Sequence, residues 1–243
     1  MRVIVAYVHS HEVAHSWHVS MEALRAWDLQ HDAHVAGTIR LRCGFQGVPA
    51  ARNAAVSAFL SIEGYDWLWW VDTDMGFRPD TVDRLLEAAD PVQRPVVGAL
   101  AFAHKYPDED GLNGYRTEQV ATIYDWVSTD EARGFIARPS YPVNELVRCA
   151  GTGSACILIH RRVFECIRAT QPDRQWYDPV PNPGLGGMIG EDLSFCLRCA
   201  IAGIPIHVHT GIPTNHQKTV WLNEPAGIPE EPHVEATIPT PAG

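Results

Sequence analysis

No hydrophobic run in this 243-residue chain approaches the ~20 residues that a membrane-spanning helix requires. The first eight residues resemble a β-strand and are too short for a signal peptide. We therefore expect no membrane contact and a cytoplasmic location. At 46% hydrophobic and 20% charged residues, the composition fits one globular domain with a substantial core.

Cysteine is also scarce, and the six thiols are too scattered for a disulfide framework. Cys196 and Cys199 form one C-x-x-C pair inside a helical pattern, with no second pair and no preceding strand. This context argues against a zinc or redox site, so we expect reduced thiols.

Positive charge is in deficit, because the formal net charge is −10. An acidic field disfavours non-specific capture of nucleic acid. It is still compatible with a local basic groove, to which five arginines could contribute: Arg40, Arg42, Arg52, Arg161 and Arg162.

Apolar runs and helical stripes alternate through the first 100 residues. Strands are predicted at 3–8, 35–41, 67–71 and 96–100, and helices at 20–28, at 50–62 and after Asp80. The alternation predicts an α/β fold, a mainly parallel sheet flanked by helices in a single merged domain.

The second part of the chain is less regular. Residues 104–145 are predicted to be an elaborated loop region, and residues 178–190, rich in Gly and Pro, a flexible loop. Strands are expected at 155–160 and 206–209, and helices at 162–169 and 191–202. Residues 224–243 carry five prolines and are predicted to form a Pro-rich surface tail. The last helix is expected to bury one stripe, made of Leu193, Cys196, Leu197, Ala200 and Ile201.

Asp72-Thr73-Asp74 directly follows the apolar run Trp67–Val71. Alternate strand residues share a face, so Asp72 and Asp74 can converge at the rim of the sheet. Two carboxylates suit Mg²⁺ or Mn²⁺, and such an ion suits a diphosphate. The three tryptophans of the run are expected to pack in the core rather than to stack on a sugar.

Two further features follow along the chain. Glu191 and Asp192 open a helix, where acidic residues also complement the helix dipole. His216 follows a short strand, in Thr-Asn-His-Gln-Lys.

These motifs, in this order, resemble the GT-A-fold glycosyltransferases, particularly family 2, over roughly residues 1–222. The resemblance implies a nucleotide-sugar-binding half at 1–100 and an acceptor-binding, catalytic half at 101–223. The segments that carry it are Ala51-Arg52-Asn53, Trp70-Val71-Asp72-Thr73-Asp74-Met75, Ala150-Gly151-Thr152-Gly153-Ser154-Ala155, Gly190-Glu191-Asp192 and His216.

The same resemblance implies site residues and a cofactor. It implies Mn²⁺ or Mg²⁺, a nucleotide-sugar donor with a UDP-hexose as the default, and inversion at the anomeric carbon. Asp192 would be the general base, and Glu191 would orient hydroxyls. Asp72, Asp74 and His216 would hold the metal, and the donor would contact Tyr7, His9, His11, Arg52, Asp72 and Lys218. Trp176 and Trp221 are the better candidates for sugar contact.

Other interpretations stay open. A non-catalytic carbohydrate- or nucleotide-binding module could share the fold. A sugar nucleotidyltransferase would need a Gly-rich, Arg-containing loop after the first strand, and a haloacid dehalogenase-type phosphatase would need its Asp-x-Asp near the N-terminus; both needs are unmet. The acceptor hydroxyl could belong to a glycan, a small molecule, a protein or a hydroxymethylated nucleic-acid base, the last of which would have to be flipped out.

Overall fold

The computed structural model describes residues 1–105, 118–129, 133–183 and 187–218. Five helices occur in these ranges: α1 His15–Gln30, α2 Gly47–Ser61, α3 Thr81–Ala88, α4 Arg161–Thr170 and α5 Glu191–Ile201. The strands are β1 Val3–His9, β2 Val35–Arg42, β3 Trp67–Val71, β4 Met75–Gly76, β5 Val96–Leu100, β6 Phe102–Lys105, β7 Glu118–Ala121, β8 Ile123–Ser128, β9 Arg133–Ala137, β10 Leu146–Cys149, β11 Gly151–Thr152, β12 Cys156–His160, β13 Val180–Pro181, β14 Met188–Ile189, β15 Ile206–Pro213 and β16 Asn215–His216.

A seven-stranded mixed sheet organises the molecule, in the order β10-β15-β5-β12-β3-β1-β2. Strands β1, β2, β3, β5 and β15 run in one direction, whereas β12 and β10 run against their neighbours. The predicted α/β class is confirmed. The sheet is mainly parallel, and β10 and β12 are its antiparallel strands.

Helices cover both faces of the sheet, because its central strands are apolar on both sides. Trp69 packs with α1 and α3 on one face, and Trp70 packs with α2, α4 and α5 on the other. Trp67, Trp69 and Trp70 are at most 1% exposed, so the prediction that they belong to the core is confirmed.

Two predicted details of the helices are wrong. Helix α2 begins at Gly47 rather than at residue 50, so Arg52 lies in its second turn. Helix α5 buries Ser194, Phe195, Cys196, Arg198 and Cys199, whereas Ile201 is exposed. The buried face differs from the expected stripe because α5 packs against both α4 and the small strand β11, which bury polar as well as apolar positions.

The region 104–145 is more regular than predicted. Its described part contains β8 and β9, which pair as a hairpin and form a three-stranded sheet with β11. Within the predicted loop 178–190, β13 and β14 also pair. Sequence patterns do not reveal these strands, because β8 and β9 are mostly only partly buried and lack a continuous apolar run, and β13 and β14 have only two residues each.

Three further predictions concern other parts of the chain. Trp221 and the Pro-rich tail at 224–243 lie outside the described residues. The six cysteines are free thiols, as predicted. None of the helices described combines the length and the apolar character needed to cross a membrane.

Gly151 holds the small sheet against α5 by its lack of a side chain. A Cβ at this position would lie 2.9 Å from Phe135 Cε1 and 3.0 Å from Leu193 Cδ2. We expect Gly151→Ala to destabilise the protein by about 1–3 kcal/mol, because a packed site must shift to accept the methyl group. Urea unfolding of this variant beside Gly44→Ala, where a Cβ meets nothing within 4 Å, measures the effect. Equal midpoints for the two variants would contradict this packing argument.

Candidate active site at the carboxyl edge of the sheet

A cleft of about 560 Å³ opens where the parallel strands end. In an open α/β sheet this edge is where ligands bind. The ends of β1 and β3 and the starts of α2 and α5 contribute to its wall, which includes His9, Arg52, Asp72, Asp74 and Glu191. Residues that are far apart in sequence therefore meet in one concave surface.

Asp72 and Asp74 lie in a tight turn rather than on a strand. Strand β3 ends at Val71, and the Met75 amide donates to the Asp72 carbonyl over 3.2 Å. The expectation that Asp72 and Asp74 share a face through strand alternation is therefore wrong, and Thr73, between them, also lines the cleft. The turn directs the two carboxylates to different basic partners.

Arg52 is the partner of Asp72. Its Nη2 donates to Asp72 Oδ1 over 2.8 Å, and its Nε lies 3.7 Å from Glu191 Oε1. The guanidinium is buried, 4.9 Å from the Trp70 ring and 5.8 Å from the Tyr177 ring. Within the described residues, its Nε and Nη1 donate no hydrogen bond. Arg52 thus joins the aspartate turn to α5 and places a buried positive charge at the wall of the cleft.

Asp74 faces His216 and Lys218 instead. Its Oδ2 lies 3.1 Å from His216 Nε2 and 2.7 Å from Lys218 Nζ. Burial raises the pKa of Asp74, but the hydrogen bonds from His216 and Lys218 outweigh burial and lower it to about 2. Asp74 is therefore an anion at every physiological pH.

His216 is oriented by the backbone. Its Nδ1 lies 2.7 Å from the Phe102 carbonyl and its Nε2 lies 3.1 Å from the anionic Asp74 carboxylate. Both partners can only accept, so both ring nitrogens carry hydrogens in this arrangement, and a metal at Nε2 would have to displace its proton. Burial lowers the pKa of His216, yet its hydrogen bonds to Asp74 and Phe102 raise it above the usual value. A backbone-held Nδ1–H is the arrangement that presents Nε2 to a metal.

The Asp74 carboxylate and the His216 imidazole fit a divalent cation that takes two of its ligands from the protein. Two ligands at ~2.1 Å and at a right angle stand ~3.0 Å apart, close to the Asp74–His216 spacing. Carboxylate and imidazole suit Mn²⁺. Across the described ranges, no group of three or more His, Cys, Asp and Glu side chains is arranged to hold a metal. Asp72 is engaged by Arg52, so its predicted ligand role stays a prediction, and a metal here would need oxygens from a ligand or water.

Glu191 and Asp192 open α5 beside Arg52, and Asp192 has the more perturbed acidity. Burial raises the pKa of Asp192 to about 6, Glu191 adds to the rise, and a hydrogen bond from the Leu193 amide opposes it. Gly153 lies beside this carboxylate, since a Cβ built on the glycine would be 3.6 Å from Asp192 Oδ2. A carboxylate with a pKa near 6 suits proton abstraction near neutral pH.

Of the other residues predicted to contact the donor or a sugar, some line the cleft and others do not. His9 lines the cleft, whereas Tyr7 is buried with its ring 4.8 Å from that of Trp17. His11 is exposed and accepts a hydrogen bond from Arg42. Trp176 is buried, and its Nε1 donates to the Phe164 carbonyl. Its expected sugar contact is therefore wrong, because the ring belongs to the core.

Comparison with known proteins shows the fold. In sequence, no protein-family model and no curated protein matches this chain. In structure, it is similar to A197 from STIV, with a TM-score of 0.52 and 14% identity over 96% of this chain and 100% of that one. It is also similar to GalNAc-T7 with UDP, GalNAc and Mn²⁺, with a TM-score of 0.54 and 13% identity, over 88% of this chain but only 43% of that one. The chain has a GT-A-like α/β fold, as the sequence motifs implied.

Proposed function

We propose that this protein is a metal-dependent glycosyltransferase that moves a sugar from a nucleotide-sugar, by default a UDP-hexose, to an acceptor hydroxyl. One observation carries the proposal: a single cleft is lined by Asp74, which pairs with His216, by the buried Arg52 and by Glu191 at the start of α5. The fold supports it, as does the similarity to GalNAc-T7, whose solved structure contains UDP and Mn²⁺. The nucleotide-binding half is assigned to 1–100 and the acceptor half to 101–223.

The donor half of the site would hold the diphosphate. Asp74 and His216 would bind Mn²⁺ or Mg²⁺, with Asp72 close to the ribose. A bound divalent ion supplies Lewis-acid stabilisation of the charge that builds on the leaving diphosphate. Lys218, an exposed ammonium beside Asp74, would donate to phosphate oxygens, and the buried charge of Arg52 would add electrostatic attraction for the diphosphate.

The acceptor half would supply the base. The acceptor oxygen attacks the anomeric carbon, the bond from that carbon to the diphosphate breaks, and the acceptor proton passes to Asp192. This direct displacement inverts the anomeric configuration. Glu191, held 3.7 Å from Arg52, would orient hydroxyls rather than accept the proton. Asp192 has the raised pKa that this division of roles requires.

A screen of donors tests the proposal. UDP-, GDP-, CDP- and TDP-sugars are added with and without Mn²⁺, and thermal unfolding is followed. A donor near 100 times its Kd adds about 2.7 kcal/mol of stability, equivalent to a rise of roughly 5–10 °C in Tm. We expect a Mn²⁺-dependent shift with one nucleotide class. Identical Tm values with all donors would contradict the proposal.

A further inference from the structure

Asn53 is a buried amide on α2, directly after Arg52 in the chain, and only 3% of it is exposed. Its Oδ1 accepts a hydrogen bond from the Tyr177 amide over 2.8 Å, and its Nδ2 donates to Asp178 Oδ1 over 2.9 Å. A backbone N–H can only donate and a carboxylate can only accept, so the two partners fix the orientation of the side chain. Asn53 thus fastens α2 to segment 175–178, far along the chain.

Segment 175–178 packs against α5 through the Tyr177 ring. This ring stacks on Phe195 of α5, with the ring centroids 4.9 Å apart and an angle of 12° between the planes. It also makes an edge-to-face contact with Trp70 of β3, at 5.9 Å between centroids. Tyr177 and Phe195 are both fully buried. The Tyr177 ring therefore separates β3, which leads into the aspartate turn, from α5, which begins with the two carboxylates.

The start of α5 is tied to the same stretch of chain a second time. The Val180 amide donates to Ser194 Oγ over 3.2 Å, and Ser194 Oγ donates to the Ile189 carbonyl over 2.9 Å. Ser194 and Phe195 are two and three residues beyond Asp192, within one helical turn of it. Close-packed interiors transmit a displacement rather than absorb it, so a shift of segment 175–178 would move Asp192 as well.

Two successive residues of α2 therefore hold the start of α5. Arg52 reaches Glu191 directly, whereas Asn53 reaches α5 through Tyr177. We infer that Asn53 is a positioning residue that sets the place of Asp192 relative to the aspartate turn. The inference rests on the proposed function, in which Asp192 accepts the acceptor proton. A misplacement of ~1 Å, caused by a change away from the chemistry, can lower a rate about 10²-fold.

Exchange of the amide and the carboxylate between positions 53 and 178 tests the inference. Asn53→Asp sets two carboxylates against each other, and Asp178→Asn leaves one pair of N–H groups facing each other, at Asn53 or at the Gln175 amide. The double variant restores all three hydrogen bonds with donor and acceptor exchanged. We expect each single variant to lower kcat about 10²-fold and the double variant to recover most of the loss, measured as release of nucleoside diphosphate from the donor.

Two further readouts distinguish positioning from a loss of stability. Affinity for Mn²⁺ and for nucleoside diphosphate should stay at the wild-type value in both single variants, because Asp74 and His216 are held by other groups. Asn53→Ala, which changes no charge, should lower the pH midpoint of kcat, since burial is the main cause of the raised pKa of Asp192.

Asp28→Ala is the matched control for stability. It removes a buried acceptor of the Val35 amide between α1 and β2. We expect it to lower Tm and to keep the wild-type kcat and pH midpoint, because neither α2 nor α5 takes part in this hydrogen bond.

The outcomes separate the two proposals. Wild-type kcat in the single variants, whatever their Tm, would overturn the positioning role and leave the proposed function standing. A double variant no more active than the single variants would do the same. A wild-type protein that releases no nucleoside diphosphate from any donor would overturn the proposed function, and the positioning role with it.

Discussion

Asp74→Asn is expected to abolish Mn²⁺ binding and to lower kcat/KM about 10³-fold. The amide keeps the shape of the carboxylate but loses the charge that would hold the cation beside His216. Lewis-acid stabilisation of a leaving diphosphate contributes several kcal/mol, and each 1.36 kcal/mol is a factor of ten in rate. Mn²⁺ titration without a nucleotide measures the first effect, and release of nucleoside diphosphate from the donor measures the second.

Two further variants sharpen this prediction. Lys218→Ala removes the ammonium that lies 2.7 Å from Asp74 Oδ2 and competes with a metal for that oxygen. We expect this variant to bind Mn²⁺ alone more tightly and nucleoside diphosphate more weakly. Asp32→Asn changes a surface carboxylate away from the cleft and should match the wild type. Undiminished Mn²⁺ binding by Asp74→Asn would refute the metal assignment.

Asp192→Asn is expected to lower kcat about 10³-fold, the usual scale for loss of a positioned general base. The wild-type rate should rise with pH and reach half its plateau near pH 6, since Asp192 acts as a base only when it is ionised. Residual activity of the variant should lack this rise. Glu191→Gln is the matched control, with a smaller loss of kcat and a pH midpoint below that of the wild type, because the Glu191 charge helps to raise the pKa of Asp192. A wild-type midpoint retained in Asp192→Asn would assign the titration to another group.

The same substitution should stabilise the protein. Folding raises the pKa of Asp192 from the ~3.9 of an unfolded aspartate to about 6. Between these values the native state binds more protons, so its stability falls as pH rises through the window. The Asp192→Asn side chain does not titrate, so the stability of the variant does not fall over this pH window. Its side-chain oxygen still accepts a hydrogen bond from the Leu193 amide. We expect a gain of about 1–2 kcal/mol at pH 7 and no gain at pH 4, measured by urea unfolding. A less stable variant at pH 7 would contradict the burial of this charge.

The sheet-forming half of the fold can be predicted from the sequence, because its signals are local. The run Trp67–Val71 is apolar on every residue, which is the pattern of a central strand, and it is buried throughout. Helix α5 is placed correctly by its acidic start and by Gly203 beyond its end. The buried face of α5 is predicted wrongly, because Ser194 and Arg198 are buried where each donates to a backbone carbonyl.

The site can be predicted as a set of residues but not as a set of contacts. Asp74 and His216 do lie together, yet Asp72 pairs with Arg52, and the link from Arg52 to Glu191 has no signal in the sequence. The Arg52 guanidinium is also held near two aromatic rings, Trp70 and Tyr177, and Tyr177 is contributed by a distant loop. Strand periodicity does not anticipate it, since residues 72–74 form a turn.

Strand β15 has a consequence for how the molecule folds. It inserts between β5 and β10, and it pairs Val97 with His207 across more than a hundred residues of chain. Loop-closure entropy makes such distant pairings slow, so this side of the sheet should close late on the folding pathway. His216 follows β15 directly, and its Nδ1 reaches the Phe102 carbonyl only after β15 has docked. A nascent chain would therefore hold Asp74 without its imidazole partner until β15 has been synthesised and has docked, so the proposed cation site would form late in maturation.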